Sequence, residues 1–172
     1  MKEDHQPVTR PPSEIERIFE DCHGLVFRTA YRITGNAADA EDVLQAVFLR
    51  LLRRDPSAEP LSDPQSYLRR AAVNVSLDTV RVRQESKSVP LDESPPGPDT
   101  SGQRELRDSL RRAMAALSPR AAEIFALRFF EGYTNPEIAK MLGMSQVHVA
   151  VLLHRTRKQL QKEIKSYLGV RS

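Results

Sequence analysis

The sequence predicts an all-α protein made of two small helical modules, and three observations support this. Apolar residues recur at three- and four-residue steps over long stretches. Alternation with a period of two, which is typical of half-buried strands, is absent. Between the helical stretches, residues 84–103 contain four prolines, two glycines and only two aliphatic side chains. We therefore expect a helical module over residues 13–83, a flexible linker over 84–103 and a second helical module over 104–168.

Two helices open the first module. The first is predicted to begin after Ser13 as N-cap and to end at Gly35-Asn36. The second is predicted to begin with Asp39 as N-cap and Asp42 in its first turn, and to stop at Asp55-Pro56. Its apolar stripe is wide for a three-helix module. That width leaves two alternatives, a core helix or a helix with an exposed face for a protein partner.

The third helix has a capped start and a basic surface. Asp63 is expected to cap it, with Pro64 at its first helical position, and the helix should run to about Arg83. A basic helix with an aromatic residue near its start suits unpaired nucleic acid, whose bases stack on rings. The alternative is that this aromatic residue belongs to the core. The residues concerned are Tyr67, Arg69, Arg70, Asn74, Asp78, Arg81 and Arg83.

Four helices are expected in the second module, and the last two form a helix-turn-helix. Ser118-Pro119 should start the second of the four and Gly132 should end it, while the third should span residues 135–142. Ala139 is small enough for a helix crossing, and Gly143 tolerates the positive φ of a tight turn. Val149, six residues further, supplies the buried aliphatic side chain. Ser145 should cap the last helix, which is expected to reach about Leu168.

The last helix carries the side chains that would read DNA. Residues near the start of such a helix meet base edges, and later Arg and Lys side chains meet phosphates. The alternative for part of this set is an ordinary solvated helix face. The candidate residues are Gln146, His148, His154, Arg155, Arg157 and Lys158, with Lys162 and Lys165 beyond them.

Charge is distributed unevenly along the chain of 172 residues. Residues 1–100 carry 13 basic and 17 acidic side chains, whereas residues 101–172 carry 13 basic and only 6 acidic ones. A basic half of this kind indicates a polyanionic partner, commonly nucleic acid. A merely solvated basic surface is the alternative.

Composition excludes several other classes. A single cysteine, Cys22, rules out an internal disulfide framework and a multi-cysteine zinc site. No apolar run is long enough to span a membrane, and the polar N-terminal residues do not resemble a signal peptide. Asp39, Glu41 and Asp42 are the only hint of a metal site, and their helix offers no further ligand at suitable spacing. We expect a soluble, cytoplasmic protein that is not an enzyme, with no cofactor, no metal and no membrane insertion.

Three segments, in this order, resemble the bacterial extracytoplasmic-function (ECF) sigma factors. They are DAEDVLQAVFLRL, YLRRAAVNVSLDTVRVR and LSPRAAEIFALRFFEGYTNPEIAKMLGMSQVHVAVLLHRTRKQL. The resemblance covers roughly residues 15–165. It implies a subunit that binds core RNA polymerase and directs promoter recognition, DNA melting and transcription initiation. An anti-sigma protein is a further partner that the family leads us to expect.

The resemblance also implies roles for particular residues. The second helix would dock on core polymerase, with Asp39, Asp42, Gln45 and Phe48 at the matching positions. Tyr67, Arg70, Asn74, Asp78 and Arg81, together with Arg83, would bind the minus-ten element of promoter DNA. The last helix would read the minus-thirty-five element through the six residues named above.

One departure and one alternative qualify this interpretation. The run Ala150-Val151-Leu152 is apolar where the family often has basic residues, so minus-thirty-five contacts are expected to be fewer or different. The alternative is a two-domain helix-turn-helix regulator that does not replace a sigma subunit. The basic third helix favours the sigma factor, since such a regulator needs no Arg and Asn on its first module.

Overall fold

A computed structural model describes residues 14–54, 59, 61–86, 101–167 and 169. Within these ranges the chain forms seven α-helices and no strand, which confirms the all-α prediction. The predicted cap at Ser13 and the predicted stop at Asp55-Pro56 lie outside the described residues. The helices are α1 (Glu14–Thr34), α2 (Ala37–Leu52), α3 (Pro64–Glu85), α4 (Ser101–Ala115), α5 (Pro119–Phe129), α6 (Asn135–Leu142) and α7 (Gln146–Tyr167).

Helices α1, α2 and α3 form the first module around a core of aliphatic side chains. Each helix contributes residues spaced three or four apart, so one stripe of each faces the other two. Phe48 is 7% exposed and packs edge-on against Phe19, with 4.8 Å between ring centroids. The fully buried members include Val26, Ala30, Ala40, Leu68 and Ala72.

The start of α2 differs from the prediction. Asn36, not Asp39, is the N-cap: its side-chain oxygen accepts a hydrogen bond from the Asp39 amide at 3.0 Å. Gly35 adopts a φ of +69°, which ends α1 and lets the chain turn directly into α2. Asp39 therefore lies in the first turn, and Asp42 lies beyond it.

Fewer residues separate the helices of the two modules in the sequence than predicted. Asp63 caps α3 and Pro64 opens it, as expected, but the helix continues to Glu85. Helix α4 already begins at Ser101. The segment between α3 and α4 is therefore shorter than the predicted linker 84–103. At its start, the good helix formers Gln84 and Glu85 extend α3. Residues 87–100, where flexibility was predicted, lie outside the described residues.

The second module contains the predicted helix-turn-helix. Ile138 and Val149 are fully buried, and Ala139 is 5% exposed where α6 and α7 meet. Gly143 has a φ of +63°, and the Met144 amide donates to the Ala139 carbonyl at 2.9 Å, which closes the end of α6. The caps at Ser118 and Ser145 form as predicted. Helix α5 ends at Phe129, and Gly132 lies in the turn that follows.

The modules pack together through an apolar contact that the sequence did not predict. Ile33 of α1 and Val73, Leu77 and Val80 of α3 belong to the same buried cluster as the core of α4 to α7. Helix α3 thus carries apolar residues on two faces, one for each module. Linker composition indicates where the chain lacks a core of its own, but it cannot tell whether the joined modules dock.

Candidate nucleic-acid interface

Helix α7 presents every predicted DNA-reading residue to solvent. Its buried side consists of Val149, Leu153, Thr156 and Leu160, spaced as one face of an α-helix. Because that face packs on the module, the residues between them point outward. Gln146, His148, His154, Arg155, Arg157 and Lys158 are all exposed.

The open face of α7 also contains apolar side chains. Val147 is 74% exposed and Val151 is 41% exposed, whereas Leu152 is half-buried against the core of the second module. The guanidinium of Arg157 lies 5.9 Å from the centre of the Phe129 ring, which restrains that arginine near the end of α5. The apolar run Ala150-Val151-Leu152 is therefore divided, with Val151 on the surface and Leu152 against the core.

Two of the predicted minus-ten residues of α3, Arg70 and Asn74, meet the second module. Tyr67 is 40% exposed, so it is not a core residue. Arg70 donates from Nε to Oε1 of Glu123 at 2.7 Å, and Asn74 donates from Nδ2 to the same oxygen at 3.0 Å. Arg120 donates to the other oxygen of Glu123 at 2.9 Å. One carboxylate of α5 thus occupies both central minus-ten candidates.

The electrostatics of Glu123 agree with this geometry. Burial by itself would raise the pKa of this carboxyl, since its side chain is only 7% exposed. Hydrogen bonds from Arg70 and Asn74, together with the charges of Arg70 and Arg120, outweigh burial, so the pKa lies below its ordinary value. Glu123 is therefore held in its ionised form by Arg70 and Asn74 of the first module together with Arg120 of its own helix.

A second carboxylate repeats this arrangement at the turn after α5. The Glu131 side chain is 1% exposed. It accepts hydrogen bonds from Thr29 at 3.0 Å and from Arg32 at 3.1 Å, and Arg69 lies 3.6 Å away. The Arg69 guanidinium also lies 5.5 Å from the centre of the Tyr133 ring. Basic residues of α1 and α3 thus converge on this turn.

The remaining minus-ten candidates are paired within the first module. Arg81 forms an ion pair with Asp78 at 3.0 Å, one turn apart on α3. Arg83 contacts Asp39 of α2 at 2.7 Å. Burial raises the pKa of Asp39, and the Arg83 charge offsets part of that effect. A predicted DNA-binding residue and a predicted polymerase-binding residue are thus partners of each other.

The predicted polymerase-binding residues divide between surface and core. Asp42 and Gln45 are exposed, whereas Asp39 and Phe48 are buried inside the first module. Leu49 is 48% exposed and Leu52 is 57% exposed. With Asp42 and Gln45 they share a spacing of three and four residues, so one face of α2 is open and partly apolar.

Sequence reasoning missed the acidic residues that bind the basic helix. Glu123 and Glu131 are two of only six acids in residues 101–172. Acidic residues are rare in this basic half of the chain, and that rarity was the signal that could have drawn attention to the two glutamates. Nothing in the sequence indicated which basic residues bind them. Among the described residues, no group of three or more side chains forms a metal-binding cluster. None of the described helices has the length and apolar character needed to cross a membrane.

Comparison with known families identifies both modules. The model for sigma-70 region 2 matches residues 18–86, and the model for sigma-70, region 4 matches residues 107–160. The first range spans α1 to α3, and the second extends from within α4 into α7. Fold and interface thus define a sigma-70-type protein with a region 2 followed by a region 4.

Comparison with individual relatives assigns the chain to a smaller group within this class. The chain is 29% identical over 153 residues to the RNA polymerase sigma-E factor of Streptomyces coelicolor, covering 88% of this chain and 86% of the relative. It is 33% identical over 144 residues to the ECF RNA polymerase sigma factor SigE of Mycolicibacterium smegmatis, covering 79% of this chain and 56% of that one. The chain belongs to the ECF sigma factors and is a factor that directs transcription initiation. A regulator that does not replace a sigma subunit is accordingly not favoured.

A solved structure shares the fold. The sigma factor RpoE of Bartonella quintana, solved in complex with the anti-sigma factor NepR, matches with a TM-score of 0.52 at 20% identity. The match covers 87% of this chain and 95% of that one. The all-helical arrangement with a C-terminal helix-turn-helix is thus found in an experimental structure as well.

Proposed function

We propose that this sigma factor docks on core RNA polymerase through α2, holds the melted minus-ten element on α3 and reads the minus-thirty-five element with α7. The observation that carries the proposal is the exposed polar and basic surface of α7, opposite the face that Val149 and Leu153 bury. A helix-turn-helix with such a surface can enter the major groove.

Recognition by α7 combines polar and apolar contacts. Gln146 and His148 stand at the start of the helix, where base edges would be met, and Arg155 and Lys158 follow where phosphates would be met. Val147 and Val151 lie on the same open surface and suit the methyl groups of thymine. We expect fewer hydrogen bonds to bases and a larger apolar share than a basic helix start would give.

Promoter opening on α3 requires no catalytic residue. Opening a base-pair step costs about 1.4 kcal/mol. Stacking an unpaired base on an aromatic ring or a guanidinium returns about 1–3 kcal/mol. The exposed ring of Tyr67, with Arg70 and Asn74 one and two turns along, can therefore bias melting by capturing the first unpaired base. The proposed activity is thus binding and strand capture rather than enzymatic turnover.

Docking on polymerase is assigned to the open face of α2. Asp42 and Gln45 supply polar contacts, and Leu49 and Leu52 supply exposed apolar area. Asp39 and Phe48 would act indirectly, by fixing α2 within its module. The proposed partners are core RNA polymerase, promoter DNA and an anti-sigma protein, with no cofactor and no membrane insertion. Such partners imply a cytoplasmic location.

Reconstituted transcription tests the proposal. The protein is added to core polymerase, and the 5′ ends of transcripts from genomic DNA are sequenced. Start sites that depend on the protein are expected, and their absence would exclude the proposed function.

Two pairs of substitutions separate the two promoter elements. Arg155→Ala with Arg157→Ala should weaken recognition of the upstream element. Asn74→Ala with Arg81→Ala should leave the complex bound but closed, so permanganate reactivity of thymines near the start site should be lost. Lys140→Ala, an exposed lysine on α6, is the matched control and should do neither. Equal footprints for both pairs would contradict the assigned roles.

A further inference from the structure

A cavity of about 380 Å³ lies between the end of α1, one face of α4 and the turn that follows α5. Four guanidinium groups line it, one from α1 and three from α4, and Asp108 is the one acid in its lining. The four arginines, none of which has a role in the proposed function, are Arg32, Arg104, Arg107 and Arg111. A cavity with this excess of positive charge indicates an anionic ligand.

Arg111 is held in place by contacts with the protein. Its Nε donates to the Ile33 carbonyl at 3.3 Å, and its Nη1 donates to Asp108 at 2.8 Å. The guanidinium passes close over Gly35, where a Cβ would collide with it. Its side chain is 26% exposed. Because a guanidinium carries five N–H donors, Arg111 can keep both partners and still donate to a ligand.

Arg32 of α1 is positioned in the same way. Its Nη1 donates to the Phe130 carbonyl at 3.2 Å and to Glu131 at 3.1 Å. Half of its side chain is nevertheless exposed. Arg32 and Arg111 thus hold fixed places in the lining, so binding an anion there costs little ordering of side chains.

The arginines of α4 are spread along the helix. Arg104, Arg107 and Arg111 recur at steps of three and four residues, so they share one face over two turns, or about 10 Å of helix. Arginine binds phosphate oxygens with two parallel N–H groups. One phosphate is short for donors spread over this length, whereas two or three linked phosphates match it.

Two aromatic rings line the same cavity. Tyr31 and Phe130 are half-buried, and each has an aromatic neighbour. Phe27 lies nearly parallel to Tyr31, with 6.2 Å between ring centroids, and Phe125 meets Phe130 edge-on at 6.3 Å. Bases stack on such rings and on guanidinium planes. A flat base linked to phosphates therefore suits both parts of the lining.

We propose that this cavity binds a nucleoside di- or triphosphate, with the phosphates on the arginines of α4 and the base against Tyr31 and Phe130. The inference goes beyond the proposed function, which uses neither the cavity nor its residues. Because α1 and α4 belong to different modules, a nucleotide bound between them also stabilises their packing.

Isothermal titration calorimetry of the full chain tests the proposal. ADP, ATP, GDP and GTP are titrated separately in buffer without magnesium, so that the phosphates keep their full charge. At least one nucleotide should bind about tenfold or more tightly than both inorganic triphosphate and adenosine. Binding of none of the four would overturn the proposal. Inorganic triphosphate that binds as tightly as the nucleotides would also overturn it, since the base would then have no site.

Substitutions on α4 test the phosphate contacts. Arg104→Gln/Arg107→Gln should weaken binding of the preferred nucleotide at least about tenfold, because charge-assisted contacts are lost. The control Arg50→Gln/Lys140→Gln removes the same number of positive charges at exposed positions outside the cavity and should change affinity less than about twofold. An equal loss in the control would show a general effect of charge and overturn the assignment.

Conservative variants protect both parts of the test against misfolding. Arg107→Lys keeps the charge but not the paired N–H groups, so an intermediate loss of affinity is expected. Tyr31→Leu should weaken nucleotide binding about fivefold, whereas Tyr31→Phe, which keeps the ring, should not. Circular dichroism verifies helicity in every variant. Equal affinities in Tyr31→Leu and Tyr31→Phe would contradict the place assigned to the base.

Discussion

Arg70 of the first module and Glu123 of the second are joined by a 2.7 Å contact between Nε and Oε1, across the boundary of the two modules. Their side chains are 38% and 7% exposed, so the carboxylate is buried while the guanidinium keeps a path to solvent. A buried carboxylate needs its partners, because an unpaired one carries a large desolvation cost. The packing of the two modules against each other should therefore respond to the ionisation of Glu123.

The size of the molecule in solution should depend on pH. Because the pKa of Glu123 lies below its ordinary value of 4.5 when the modules are packed together, the carboxylate stabilises this packing fully above that value. The contribution is lost as pH falls through the lowered pKa. The radius of gyration should stay constant from neutral pH down to about pH 5 and rise below about 4.5. In Glu123→Gln this rise of the radius of gyration at low pH should be missing. Identical pH profiles for wild type and Glu123→Gln would contradict the prediction.

Substitution of Gly143 should destabilise the turn of the helix-turn-helix. Gly143 has a φ of +63°, and a Cβ added there would meet no heavy atom within 4 Å. The cost of Gly143→Ala is therefore one of backbone conformation, about 1–2 kcal/mol of unfolding free energy. Gly143→Asn should cost less, since Asn tolerates left-handed geometry. Urea denaturation measures both, and equal losses for the two substitutions would count against the backbone explanation.

The ion pair between Asp39 of α2 and Arg83 of α3 should stabilise the protein to an extent that depends on pH. Arg83→Met leaves the buried Asp39 carboxylate without its guanidinium partner, which should raise the pKa of Asp39 further. An acid whose pKa is raised in the folded state stabilises the fold at low pH. This stabilisation is lost as pH rises through the raised pKa. The variant should therefore lose about 1–3 kcal/mol at pH 7 and less at pH 4.

Thermal unfolding at the two pH values measures this effect. Arg50→Met, at an exposed position on α2, is the matched control and should change stability by less than about 0.5 kcal/mol at both. A loss in Arg83→Met that does not depend on pH would indicate packing rather than charge.

Local signals predicted the local structure well. Asp63 with Pro64, and Ser118 with Pro119, begin helices because their side chains and fixed φ act within one turn. Asn36, and not the predicted Asp39, caps α2. Both side chains can accept the same kind of amide hydrogen bond, so residue type alone did not distinguish them. The choice between them depended on where Gly35 lets α1 end.

The sequence by itself determined the seven helices of the described residues, the helix-turn-helix and the outward direction of the α7 surface, since these depend on periodicity and on capping within a few residues. Only the tertiary structure decided that Arg70 and Asn74 meet Glu123, and that Arg83 meets Asp39. Those pairs are 53, 49 and 44 residues apart in the sequence. Contacts at such separations depend on how the helices pack and how the modules dock, and short-range patterns carry no record of either.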